Sequence, residues 1–67
     1  MSDRFVPYTL HHKEGLMIQD YRWWMANERE ILNWMAEYLP RGIDHQTGMT
    51  IDFDTAQDRM MFMLRWS

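Results

Sequence analysis

The sequence has no cysteine, a single lysine and a single valine, and its three glycines and two prolines are scattered. Each scarcity excludes something. Without cysteine there is no disulfide and no thiolate zinc site. Lys13 stands alone among the arginines, and ten acids leave a formal net charge of −3. There is thus no basic stripe to neutralise duplex phosphates, and nucleic acid is not an expected partner. No apolar run approaches the roughly 20 residues of a membrane span, so no membrane partner is expected. The opening Met1-Ser2-Asp3-Arg4 carries no apolar signal region, and a cytosolic location is expected. Gly15, Gly42 and Gly48 are isolated, so no glycine-rich phosphate loop is present.

What the chain holds in excess is soft and aromatic apolar surface. Its 67 residues include eight Met, four Trp, three Phe and three Tyr. A chain of this length forms one small domain, here expected over residues 1–67. It withdraws only about 60% of its unfolded surface from water. Each buried aromatic removes about 150–250 Å². Side chains of that size must be buried, either within the fold or against another chain.

Periodicity divides the chain. Residues 4–10 alternate, with Val6, Tyr8 and Leu10 on one side and Phe5 and Thr9 on the other, as in a strand. Pro7 cannot donate to a ladder, which places that strand at a sheet edge. After the turn residues His11 to Gly15, a hairpin return through Leu16-Met17-Ile18 is a further option. From Tyr21 to Leu39, apolar residues at 21, 24, 25, 31, 32, 35, 38 and 39 form a stripe roughly 140° wide at helical spacing. Asp20 is the expected N-cap, and Pro40 ends the helix. Glu28 interrupts the stripe, and Asn27 with Glu30 forms a second capping pattern, so a kink near Asn27 stays open. A turn cluster runs from Pro40 to Gly48. Residues 48–53 then read as a strand with Met49, Ile51 and Phe53 on one side. Asp54 with Gln57 is the expected capping box of a last helix over 55–66. That helix is apolar all round: Ala56, Met60, Met63 and Leu64 on one side, Phe62 and Trp66 nearly opposite. One side therefore awaits a covering. The architecture expected is α+β, with a two- or three-stranded sheet packed on a long central helix and a short C-terminal one.

Catalytic patterns are weak. His11 and His12 are adjacent and point to opposite faces, and His45 lies in a loop, so all three read as surface residues. Asp44, Asp52, Asp54 and Asp58 lack the bend glycine and terminal glutamate of a calcium loop. They read instead as solvent-facing, capping and dipole-pairing acids. Glu28 is the one acid suspected of burial, salt-bridged to Arg59 or Arg65 or sitting at a kink. An enzyme built on Glu28 and a histidine is the remotest option. No metal and no cofactor are expected.

Trp23 and Trp34 lie about 20° apart around the helix axis and about 16 Å apart along it. They line one flank, either as a second buried face or as a partner-binding one; with an acidic net charge, base stacking is the weakest option. Trp, Tyr, Phe, Met and Arg are the types enriched at interfaces. The expected partner-binding residues are Trp23, Trp34, Phe62 and Trp66.

The run from Ile51 to Trp66 resembles the ending of many small uncharacterised proteins of tailed bacteriophages, marine and cyanobacterial ones among them. Those share a Phe-ended strand, an Asp, and a closing Phe-x-Leu-Arg/Lys-Trp. Phe53, Asp58, Phe62, Leu64, Arg65 and Trp66 match that pattern. Arg59 departs from it where alanine is common, and the upstream region matches only in its Trp-containing helix. The resemblance covers about a quarter of the chain and brings no activity with it. It implies a phage accessory protein in the host cytoplasm, binding a host or viral protein. The expectation is thus a non-enzymatic protein-interaction module. The alternative is a small self-assembling structural or virion-associated component, with a homodimer as its simplest form.

Overall fold

The computed structural model describes residues 4–10 and 13–67. Strands β1 (Phe5–Leu10) and β2 (Lys13–Ile18) pair antiparallel from Phe5↔Ile18 to Leu10↔Lys13. Helix α1 (Tyr21–Tyr38) follows, then a single 3-10 turn (Gly42–His45). Strands β3 (Gln46–Thr47) and β4 (Thr50–Phe53) and helix α2 (Ala56–Trp66) complete the chain. The strands form one antiparallel sheet in the order β1-β2-β4-β3.

The architecture is α+β, as expected, but the sheet has four strands rather than two or three. The hairpin return through Leu16-Met17-Ile18 forms β2. The unforeseen strand is β3, whose two polar residues carry no alternation of their own. It exists because Gln46 and Thr47 pair with Ile51 and Thr50. The two-residue turn between them starts at Gly48 with φ 58°, a conformation that primed hairpin turns require and glycine adopts without strain. Met49 sits in that turn and is exposed, not aligned with Ile51 and Phe53 as expected.

Strand alternation decides the core. Phe5, Leu16, Ile18, Ile51 and Phe53 are buried together on one sheet face. Both helices cover that face, with Trp24, Ile31 and Met35 from α1 and Phe62 and Trp66 from α2. On the other face Tyr8 lies across from Gly15. A Cβ at residue 15 would stand 2.5 Å from the Tyr8 ring, so only glycine admits this packing. At the edge, the Gln19 amide donates to the Arg4 carbonyl, which aims Arg4 toward β2. Strand groups alternate, so the Pro7 nitrogen faces the free edge and no ladder bond is lost. The same proline blunts that edge against strand addition.

Helix α1 runs without a break through Asn27, whose side-chain amide donates to the Trp23 carbonyl at 2.9 Å. Asp20 caps it, accepting from the Trp23 amide. Leu39 is extended (φ −105°, ψ 145°), as the residue before a proline prefers.

The cap of α2 differs from expectation. Thr55, not Asp54, accepts the Asp58 amide at 3.1 Å. Asp54 is drawn away by Arg41, 3.0 Å from its carboxylate. Thr55→Ala should therefore lower stability by about 1 kcal/mol. Denaturant melts of the two variants check this: Asp54→Ala should cost less, since its ion pair is exposed.

Candidate functional site

Helix α2 is positioned by polar contacts at both ends. Near its start, Arg59 forms an ion pair with Glu14 at 2.8 Å. It also donates to the Tyr8 and Gly15 carbonyls at 3.4 Å each. At its end, Arg4 donates to the Trp66 carbonyl at 2.9 Å, a cation at the negative end of the helix dipole. Held this way, α2 turns one apolar side to the sheet and the other to solvent.

The inward side is the aromatic one, and this corrects the expected binding surface. Phe62 is fully buried, with ring centres of Phe5 at 5.3 Å, Phe53 at 5.5 Å and Trp34 at 5.8 Å. Trp66 is 5% exposed, with Trp23 at 6.5 Å and the Arg65 guanidinium 4.0 Å from its ring centre. Among the described residues its indole nitrogen finds no acceptor, and it is sealed from solvent. Neither Phe62 nor Trp66 is open to a partner. Trp23 and Trp34 are half-buried and pack on the core. Trp23 meets Phe5 at 5.6 Å, with the Arg4 guanidinium 4.2 Å from its ring centre, and Trp34 meets Tyr38 at 5.2 Å. The four residues come together, but as one aromatic seam between α1, α2 and β1. Large rings remove more apolar surface than methionine or alanine, so the seam takes the sheet side.

The outward side is therefore Ala56, Met60 and Leu64, flanked by half-buried Met63. Leu64 is 82% exposed and Met60 62%, the two highest values among the exposed large apolar side chains. With Arg59 they line a shallow concavity of about 370 Å³. The spacing i, i+4, i+8 makes a continuous stripe, not scattered exposure.

A second depression, about 380 Å³, lies on the open face of the sheet between Tyr8, Lys13, Thr47, Thr50 and Asp52. Its charged groups are already engaged, Lys13 with Asp52 at 3.9 Å and Glu14 with Arg59. The nearby apolar side chains Val6, Met17 and Met49 are each about half exposed. The α2 stripe is the more apolar of the two surfaces.

His45 overturns its reading as a loop residue on the surface: it is completely buried. Its Nε2 accepts the Arg41 amide at 3.1 Å, so the proton sits on Nδ1 and is donated to the Asp52 carbonyl at 2.7 Å. The ring packs on Phe53 at 5.9 Å. Above it Arg41 bridges Asp52 at 3.4 Å and Asp54 at 3.0 Å. Burial opposes the guanidinium charge, yet the two carboxylates more than offset it and hold its pKa above the ordinary value. This cluster ties the 3-10 turn to β4. Glu28 is exposed rather than buried and accepts the Trp24 indole N–H at 2.9 Å. His11 and His12 lie outside the described residues. Among the described residues no group of three or more His, Asp or Glu could hold a metal, and no helix is long and apolar enough to cross a membrane.

No protein-family model matches the chain, and neither do curated proteins or solved structures. The surface itself is then the guide to function.

Proposed function

We propose that this chain is a non-enzymatic protein-interaction module that docks through the outer stripe of α2. The observation that carries this reading is the exposure of Leu64 and Met60, side by side on a helix whose other side already seals the core. Leaving such side chains in water forgoes about 1.5–3 kcal/mol for a fully buried leucine, and a partner recovers it. Methionine suits such a surface, since its flexible thioether adapts to different partners. The phage-like ending supplies a setting: an accessory protein in the host cytoplasm, acting on a host or viral protein. The self-assembling structural reading uses the same stripe.

Affinity capture from a cyanobacterial or marine-bacterial lysate tests the proposal. The wild-type chain should retain a specific protein that Leu64→Glu loses. Identical retained sets for both would sink it.

A further inference from the structure

We infer that His45 is an acid-operated latch: protonation of its ring releases the 3-10 turn and strand β3 from β4. This goes beyond the docking reading and rests on different residues. His45 is completely buried, and both of its ring nitrogens are committed. Nε2 accepts the Arg41 amide at 3.1 Å, and the Nδ1 proton goes to the Asp52 carbonyl at 2.7 Å. Only the neutral ring can do both, because an imidazolium has two donors and no acceptor. A second proton on Nε2 sets one N–H against another, and the Arg41 amide loses its partner. The ring also stands in for a piece of strand. The ladder between β3 and β4 consists of Gln46↔Ile51 and Thr47↔Thr50. Residues 45 and 52 come next in that register, and there the imidazole, not the backbone, reaches the Asp52 carbonyl. A two-residue strand holds little by itself, so the imidazole bond carries much of the attachment.

The surrounding charges offer a protonated ring no free counter-ion. The Arg41 guanidinium lies 3.3 Å from Nδ1. On β4, Asp52 is bridged by Arg41 at 3.4 Å and by Lys13 of β2 at 3.9 Å. Asp54, just past that strand, is held by Arg41 at 3.0 Å. Asp44 in the turn itself is exposed, as are Glu37 and Tyr38 in the last turn of α1, which packs on the 3-10 turn. The Phe53 ring, 5.9 Å away, is apolar. Among the described residues, the charge placed against the ring at hydrogen-bonding range is thus a cation. A second positive charge buried there is unpaired and costly. Once the turn opens, the imidazole takes its proton freely, at about pH 6.5 as in any unfolded chain. The open form then binds more protons than the closed one. Stability present above about pH 6.5 is therefore lost as the pH falls below it.

Denaturant unfolding at about pH 7.5 and about pH 5 tests this. The unfolding equilibrium constant of wild type should rise at least about tenfold between the two. Most carboxylates titrate below that window, at roughly 3.9–4.3, so the change reports imidazole. The double variant His11→Gln/His12→Gln should show the same rise. His45→Gln, less stable at both values, should change by less than about threefold. Wild type alone supplies a second readout, which stands even where His45→Gln fails to fold. The protection of the Arg41 amide against hydrogen exchange, corrected for the intrinsic rate at each pH, should fall at least about tenfold over the same range. An equal rise in wild type and His45→Gln overturns the latch. So does a rise that vanishes in His11→Gln/His12→Gln, or an Arg41 amide whose protection does not change.

Discussion

Phe62→Ala should leave the protein largely unfolded or melting at least about 15 °C lower. The side chain is fully buried among Phe5, Trp34 and Phe53, and truncating such a phenylalanine costs about 3–5 kcal/mol. A domain of this size has little more than that in total stability. Each kcal/mol corresponds to roughly 4–8 °C in Tm at this length. Two residues along the same helix, Leu64→Ala should shift stability by less than about 0.5 kcal/mol, because Leu64 supports nothing in the protomer. Thermal melts of the two variants side by side check the contrast. Equal losses would mean that α2 presents a different side to the sheet.

The second large effect is expected at His45. His45→Ala removes a completely buried ring and leaves the Arg41 amide and the Asp52 carbonyl without their partner. Each stranded group costs about 1–3 kcal/mol, so a total loss of about 2–5 kcal/mol is expected by denaturant titration. His45→Phe should not rescue it, since a phenyl ring restores volume but no hydrogen bond. Imidazole nitrogen shifts give an independent check. In the neutral ring the proton should reside on Nδ1; a proton on Nε2 would contradict the bonding described.

Much of the framework was legible in the sequence because it depends on local pattern. Asp20, the Trp24, Ile31 and Met35 spacing, and Pro40 set α1 by rules that act within a turn or two. Ile51 and Phe53 reveal their side of β4 by alternation. What failed to show depends on neighbours distant in sequence. Either side of α2 is apolar enough to face a sheet, and only the aromatic seam with Phe5, Trp23 and Trp34 decides that Phe62 and Trp66 turn inward. Asp54 and Thr55 are both sound N-caps one residue apart, and the choice falls to Arg41, which occupies Asp54. His45 looked like a loop residue because its acceptor and donor, Asp52 and Arg41, are set in place only by the β3–β4 hairpin and the turn before it. The candidate site was half legible: an excess of apolar surface on α2 was apparent, but the side expected to carry it, that of Phe62 and Trp66, is the buried one.

The most direct test is the accessibility of the Met60 and Leu64 methyl groups to a soluble paramagnetic agent, followed by nuclear magnetic resonance as protein concentration is raised. The account predicts strong broadening of both in dilute protein, and a Met35 methyl sheltered throughout. Shelter of Met60 and Leu64 at the lowest concentration would place them in the core and contradict a docking face.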